Sequence, residues 1–496
     1  MMATVLSTAL EGIESFPVRV EVALGVGLPS FNVVGLPHGA VREGRERVAA
    51  ALRASGFSLP PKRITVNLAP ADVPKEGSAL DLPVAMGLLA AEGVVPAAAV
   101  DGVAMMGELG LDGRVRPVRG ALSAATRCAA DGVGTLILPR ANAREAALVS
   151  SVTVLGAENL EAVVAHFTGA RSLPHITVNP RQALGDDAPA ALDLSEVCGQ
   201  ETVKRGLEIA AAGGHNVILV GPPGSGKTML ARRLPGLLPP LNVEEAVEVT
   251  RVHSVAGRLP AGGALLTTRP FRAPHHTVTV AGLVGGGRPL KPGEVSLAHR
   301  GVLFLDELPE FRRGVLEVLR QPLEDGAVEL SRARQAVRFP ARFLLVAAMN
   351  PCPCGYLGDG TDRCLCDPFR IARYRGRVSG PLLDRIDLHI EVPAVSWAEL
   401  SRAGGAAREG SSSVRGRVLR AAAFRRRRPA ADEFRPSAEV ARLLQRAVDL
   451  LGLSARGVHR TLRVARTIAD LDGSARVAPR HAAEAIQYRF LDRPVV

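Results

Sequence analysis

The sequence predicts a mixed α/β chain: a central α/β domain, an α+β module before it and an all-helical segment after it. Three observations predict this. A short apolar run, Asn216 to Val220, opens directly into a glycine-rich loop and then a helical pattern. Strand and helix patterns alternate from 195 to 397, the order that builds a parallel sheet with crossover helices. Beyond 413, apolar residues recur at helical spacing.

In chain order, 1–170 alternates β-rich runs (Val18–Leu24, Ile64–Leu68, Thr135–Leu138) with Ala-rich amphipathic stretches (Val41–Ala54, Ala79–Ala91), an α+β module. Residues 171–194 carry prolines and an Asp-Asp pair without sustained periodicity, and are read as a linker. A second weak zone, 398–413, contains SRAGGAAREGSSS. Over 414–496, Val414–Arg427, Ser437–Leu450, His459–Leu471 and Pro479–Phe490 have helical spacing. No long-period repeat is present.

Composition excludes several classes. At 496 residues, 47% hydrophobic and 22% charged, the chain can bury sizeable cores and is not a disordered polymer. Its 61 basic and 49 acidic residues leave a net charge of +12, and Ser401 to Val496 alone holds 20 Arg against 9 acidic residues, a net +11. Only five lysines accompany 56 arginines, so arginine abundance reflects coding bias and only its concentration at one end is a signal. No apolar run reaches the roughly 18 to 20 residues of a membrane span. The N-terminal MMATVLSTALEGIESF has no basic region of a secretory signal. Six cysteines do not make a disulfide scaffold, and four crowd between Cys352 and Cys366, which argues for a reducing compartment. A soluble, cytoplasmic protein is expected.

The loop after Val220 reads Gly221-Pro222-Pro223-Gly224-Ser225-Gly226-Lys227-Thr228, then helical MLARRL. This is G-x-x-x-x-G-K-[ST] between strand and helix, whose backbone amides and helix N-terminus cradle phosphates. Lys227 would reach the β- and γ-phosphates of a nucleoside triphosphate, and Thr228 would bind Mg²⁺. Further on, Gly301-Val-Leu-Phe-Leu-Asp306-Glu307 fits a buried strand ending in two carboxylates, with Asp306 seventy-nine residues after Lys227. Asp306 is the expected Mg²⁺ holder and Glu307 the base that polarises the attacking water. Another strand, Phe343–Met349, ends in Asn350, placed to orient that water or sense the γ-phosphate.

Cys352-Pro-Cys354 and Cys364-Leu-Cys366 set two thiol pairs on a Gly- and Asp-rich loop, an insert spanning 350–367. Four thiolates suit a closed structural Zn²⁺ site, although C-x-C is tighter than the common spacing; free thiols or a labile disulfide are the alternatives. His275 and His276, being adjacent, would point in different directions and are read as structural; Cys128 and Cys198 are read as core residues.

Gly199-Gln200, the phosphate loop, the Asp-Glu strand and Asn350 together resemble an AAA+ ATPase. RAPHHT (Arg272–Thr277), HRGVLFLDELPEF (His299–Phe311), AAMNPCPCGYLGD (Ala347–Asp359) and SGPLLDRIDLHIEVP (Ser379–Pro393) resemble the ComM/YifB family of the magnesium-chelatase-like branch, along essentially the whole chain. The resemblance implies an AAA+ P-loop core with a helical lid. It also implies a ring, usually a hexamer, with ATP between subunits. Arg385 is then the arginine finger reaching the neighbour's nucleotide. Gly457-Val-His-Arg460-Thr-Leu resembles the sensor-2 pattern, which favours Arg460, with Arg456 as the alternative.

The segments Pro74–Pro83 and Gly107–Gly120 resemble the Lon protease domain, an S5-type α+β fold. Laying the motifs together puts the nucleophile position on Ala79 and the lysine position on Leu122. Ser78 is one residue away, and no lysine occurs between Lys75 and Lys204. Without an amine to take its proton Ser78 is not activated, so no peptidase activity is expected, and the module is assigned binding or assembly.

Three features favour DNA, single-stranded or branched, as partner. Arg425 to Arg428 are consecutive, though a solvated helix end accounts for them equally well. Val328–Phe339 reads as a hairpin resembling the presensor-1 hairpin of minichromosome maintenance helicases, with Arg332 at the basic tip and Arg334 beside it. A ring of such tips would grip phosphates. An additional insert, Arg251 to His299, has room to face the pore. The resemblance implies a helicase or branch-migration motor acting in recombination during natural transformation. The rival reading is a metal-chelatase motor subunit that remodels a protein partner, though its relatives generally lack the Lon-like module and this cysteine cluster. A non-enzymatic scaffold is disfavoured by the complete nucleotide motifs.

Overall fold

The computed structural model describes residues 1–185, 192–260, 262–287, 289–332, 335–360, 362–395, 408–428 and 436–492. Its N-terminal part is built on an eight-stranded mixed sheet in the spatial order His175–Ile176, Thr153–Ala157, Thr135–Pro139, Val103–Met105, Met2–Glu11, Glu14–Gly25, Arg63–Ala69, Ser30–Val34. Met2–Glu11 and Glu14–Gly25 form a long antiparallel hairpin; the sequence reading found the second strand and missed the first. His175–Ile176 pairs antiparallel with Thr153–Ala157 although it lies in the stretch read as a linker.

Helix Ala40–Ala54 is amphipathic as expected, with Val41, Val48, Ala51 and Leu52 inward. Helix Asp81–Glu92 corrects the amphipathic reading of Ala79–Ala91: it starts later and is buried on every face from Asp81 to Ala91. It lies between the first two strands and the Ala40–Ala54 helix. Gly87 permits that approach, because a Cβ there would sit 2.7 Å from Val22 Cγ2. The buried Asp81 carboxylate is held by Arg47 at 2.7 Å.

The central domain has a five-stranded parallel sheet in the order Phe271–Arg272, Val302–Leu305, Leu344–Met349, Val217–Val220, Leu388–Glu391. Side chains alternate between its two faces, as a period of two dictates. Val217, Leu219, Val302, Phe304, Val346 and Ala348 join one core with helices Glu201–Gly213 and Lys227–Leu237. Ile218, Val220, Leu303, Leu305, Leu345 and Ala347 join the opposite core with Leu308, Phe311, Leu316 and Ile386. Continuous apolar runs in the sequence thus follow from burial on both faces.

The helices Ser411–Arg427, Ala438–Leu451, Ala455–Leu471 and Pro479–Gln487 close the chain. Val414, Val418, Val464, Ile468 and Ala485 complete the first of those cores, so Ser411–Arg427 packs directly on the Lys227–Leu237 helix. Its first residues fall within the zone read as a break. No helix among the described residues is long and apolar enough to cross a membrane.

The N-terminal hairpin tip rests on the central domain. Ile13 packs with Val252, Val255, Val337 and Phe339, and a Cβ on Gly12, at φ +63, would lie 1.9 Å from Val337 Cγ1. The Gly120 amide donates to Ser254 Oγ at 3.1 Å. Arg251 and Ser254 belong to a continuous helix, Val243–Ala256. The insert expected to begin at Arg251 therefore begins inside a helix that docks the N-terminal module.

Candidate nucleotide site

Strand Val217–Val220 delivers the phosphate loop at the carboxyl end of the sheet, where such sheets place ligands. Gly221 is obligatory for space, since a Cβ would meet Val392 O at 2.1 Å. Gly226, at φ +89, turns the chain into helix Lys227–Leu237. Lys227 Nζ donates to Gly221 O and Pro222 O at 2.8 Å and to Asn350 Oδ1 at 3.2 Å. Burial pushes its pKa down, against the upward pull of Asp306 and Glu307.

Thr228 Oγ1 donates to Asp306 Oδ2 at 2.7 Å. This pair of hard oxygens at the mouth of the loop suits Mg²⁺. Asp306 Oδ1 accepts the Glu307 amide at 3.0 Å, and Glu307 stands in the left-handed region at φ +53 with its carboxylate exposed. Gly221, Pro222, Pro223, Gly224, Ser225, Gly226, Lys227, Thr228, Asp306, Glu307 and Asn350 are thus gathered at one edge of the sheet.

His276 lies beside them: its Nδ1 is 3.5 Å from Glu307 Oε2, and it does not point away from His275 as expected. Its ring lies against that of His275, centroids 4.0 Å apart and planes tilted by 34°, and meets Phe311 edge-on. Neighbouring strands bring the two segments together. Phe271 pairs with Val302 and Arg272 with Leu303 in parallel, and the turns that leave these two strands bring His276 to Glu307. The usable signal was RAPHHT following a strand that neighbours the Asp-Glu strand.

Arg385 and Arg460 are elsewhere. They line a cavity of about 530 Å³ together with Arg269, Arg300, Arg342 and Arg463. Its walls include Asn216, Gly301, Leu344 and Asp387, at or next to the amino ends of the strands whose carboxyl ends hold the phosphate loop, Asp306 and Asn350. From Asn216 to Gly221 an extended chain spans about 16 Å, so the sheet separates these arginines from the loop of the same subunit. Arg385 donates to Pro381 O at 2.6 Å and pairs with Glu324. Arg460 donates to Asp387 Oδ1 at 2.7 Å. Burial opposes charge on Asp387, yet His215, Arg460 and Arg463 hold its carboxyl well below the usual carboxylate range. Arg456 lines an adjoining smaller cavity with Arg385 and Arg460.

The expected hairpin is present, Ala327–Arg332 pairing with Gln335–Pro340; Arg334 and the Arg332 side chain lie outside the described residues. Of the basic run, Arg425 to Arg427 are exposed, whereas Arg428 is buried in an ion pair with Asp470. In the N-terminal module Ser78 Oγ donates to Glu108. Lys75 is fully buried, with no hydrogen-bond partner for Nζ among the described residues.

The four cysteines converge on one another. Their Sγ atoms all lie within 4.8 Å, with Cys352 buried and Cys354, Cys364 and Cys366 half-buried. Hydrogen bonding from the Tyr356 amide and Cys352 lowers the Cys354 thiol to about 6.

Comparison with known proteins matches three family models to consecutive stretches of this chain. They are subunit ChlI of Mg-chelatase over 20–142, magnesium chelatase subunit ChlI over 193–400, and the ChlI C-terminal model over 408–489. The chain is 44% identical over 506 residues to the uncharacterized protein YifB of Escherichia coli, covering 100% of this chain and 98% of that protein. It is 44% identical over 504 residues to the competence protein ComM of Haemophilus influenzae, covering 99% and 98%. The magnesium-chelatase 38 kDa subunit of Rhodobacter capsulatus is 27% identical over 187 residues, 34% of this chain and 53% of that protein.

Proposed function

The chain belongs to the ComM/YifB family of magnesium-chelatase-like AAA+ proteins, and from that membership we propose a ring-forming ATPase that moves DNA. Its work would be helicase or branch-migration activity in recombination during natural transformation. The observation that carries the ring is the separation of Arg385 and Arg460 from the phosphate loop across the sheet. A complete site then takes Lys227, Thr228, Asp306, Glu307 and Asn350 from one subunit and the arginines from the next.

In that site the amides of 221–228 and Lys227 hold the β- and γ-phosphates. Thr228 and Asp306 would hold Mg²⁺, which supplies charge neutralisation between the phosphates. Glu307 polarises water, with His276 restraining its carboxylate, and Asn350 orients that water against the γ-phosphate. Arg385 offsets the charge that develops on the neighbour's transferring phosphoryl group. The Ser411–Arg427 helix, packed on the phosphate-loop helix, would act as the lid that senses nucleotide. The four cysteines would hold a structural Zn²⁺.

DNA as the substrate is supported by the end-to-end likeness to a protein named for competence and by the 327–340 hairpin. The second reading, a chelatase-type motor acting on a protein partner, draws on the three ChlI models. The magnesium-chelatase subunit nevertheless covers only a third of this chain.

Strand displacement on forked and three-stranded DNA, with ATP, Mg²⁺ and Glu307→Gln as the inactive control, tests the proposal. The wild type should release strand and hydrolyse ATP faster with DNA, and Glu307→Gln should lose about 10²- to 10⁴-fold in hydrolysis. ATP hydrolysis indifferent to DNA, with no strand released, would overturn the DNA motor in favour of the second reading.

A further inference from the structure

The loop that carries the cysteines lies against the ATP site. It leaves strand Leu344–Met349 through Asn350, whose side chain accepts from Lys227, and reaches the buried Cys352 two residues later. Gly355, at φ +88, presses its backbone on the phosphate loop: a Cβ there would stand 2.6 Å from Pro223 Cδ and 3.7 Å from Asn350 Cγ. The Gly355 amide donates to Cys352 O at 3.0 Å. From behind, Arg375 Nε donates to Pro351 O at 3.3 Å, and the buried Tyr374 hydroxyl faces the Asn350 backbone. Gly355, which presses on Pro223, thus lies between the two thiol pairs, and Asn350 stands two residues before the first of them.

The sulfur geometry fits one ion. Zn–S bonds of about 2.3 Å at tetrahedral angles put sulfurs about 3.8 Å apart. Cys352 and Cys354 each lie 3.7 Å from Cys364, and 3.3 Å from one another. Four sulfurs leave no open position, so the site is structural. All four cysteines are free thiols, and Cys354 and Cys364 are too far apart for the roughly 2.05 Å of a disulfide.

We propose that Zn²⁺ bound by Cys352, Cys354, Cys364 and Cys366 acts as a positioning clamp on the ATP site. It holds the 350–355 turn against Pro223 so that the Asn350 carboxamide meets Lys227 and the γ-phosphate. The inference rests on reading 221–228 as an ATP site and the cysteines as a zinc site, and goes beyond both by coupling them. Asn350 lies next to the reacting phosphate, so loss of the clamp falls on kcat more than on KM.

The test uses the full-length chain in three forms: as purified, stripped by a thiol-reactive mercurial with a chelator and then reduced, and reloaded with Zn²⁺ or Co²⁺. Metal content by mass spectrometry should be one Zn²⁺ per chain. The Co²⁺ form should show the absorption of a tetrahedral cobalt–thiolate complex. Stripping should lower kcat about tenfold, with KM for ATP changed less than about threefold, and reloading should restore it; tenfold corresponds to about 1.4 kcal/mol of positioning. Cys366→Ser, which keeps three thiols, guards against a stripped protein that unfolds: it should weaken metal retention and lower kcat with the far-UV spectrum unchanged. In Asn350→Ala the further effect of stripping should vanish. No metal above background and no cobalt–thiolate absorption would overturn the zinc reading and the clamp together. Bound metal whose removal leaves kcat unchanged in folded protein would overturn the clamp alone. Absence of ATP hydrolysis in the zinc-loaded wild type would overturn the nucleotide reading on which the clamp depends.

Discussion

Arg385→Ala and Lys227→Ala subunits should each be inactive alone and active when mixed. Lys227 is fixed at the phosphate loop by Gly221, Pro222 and Asn350, whereas Arg385 opens into the arginine cavity at the other edge of the sheet. A ring site would take the loop from one subunit and the guanidinium from the next. Loss of such an arginine costs about 10³- to 10⁵-fold in turnover, so rings of either variant alone should fall to background. In an equal random mixture, a complete site needs an Arg385→Ala subunit giving the loop and a Lys227→Ala subunit giving the arginine. That pairing occurs at about one interface in four, so steady-state ATP hydrolysis should return to about a quarter of the wild-type rate if interfaces act independently. The carboxylate left behind, Glu324, is 55% exposed, but Arg385 is itself buried, so a matching far-UV spectrum and ring assembly are required of the variant. A mixture as silent as its components, in rings verified to contain both, would refute the shared site. So would an Arg385→Ala protein with the wild-type rate.

Asp387→Asn should destabilise the protein, because breaking a buried pair costs about 3 to 5 kcal/mol. The folded pKa of Asp387 is depressed, so its contribution is complete above the unfolded value, about 3.9, and is lost as pH falls through the folded value. The variant's thermal midpoint should therefore be lower at neutral pH and less sensitive to acid below about pH 4 than the wild type's; an unchanged midpoint would contradict the account. Gly12→Val puts a branched side chain where a Cβ already meets Val337 at 1.9 Å, an overpacking worth about 1 to 3 kcal/mol. It should loosen the hairpin tip, read as faster proteolysis between 171 and 194 with ATP binding retained. Wild-type protease resistance would show that the tip contributes nothing to docking.

The parts of the site legible in the sequence are those whose chemistry is local. Gly221 to Thr228 lies in one run that fixes its own conformation, and Asp306 and Glu307 end one apolar strand. Asn350 was legible for the same reason. His276 was not, because its approach to Glu307 joins turns that lie 31 residues apart in the sequence. The arginine cavity was legible only as isolated arginines, since its walls come from several segments that meet only through the sheet. Helix Asp81–Glu92 read as amphipathic because Ala and Gly score weakly; its burial comes from neighbours on every side. Strand Met2–Glu11 was missed because its pairing with Glu14–Gly25, not its composition, makes it a strand.

The two arginines of the cavity are held in physically different ways, and that difference separates their roles in the proposed ring. Arg460 pairs with Asp387, whose side chain is 3% exposed, in a network that also holds His215 and the Asn216 amide. Withdrawing it would leave a buried carboxylate undercompensated. Arg385 pairs with Glu324, whose carboxylate is 55% exposed although the Arg385 side chain itself is 7% exposed. In the proposed ring a neighbour's γ-phosphate, more highly charged than Glu324, would compete for that guanidinium. Arg385 would then exchange its exposed partner Glu324 for nucleotide, while Arg460 would keep its buried partner Asp387. Since Asp387 immediately precedes strand Leu388–Glu391 and bonds the residue before Val217, the fixed arginine is tied to the strand that ends in the phosphate loop. In the proposed ring, movement of that loop would reach the arginine cavity through this hydrogen bond.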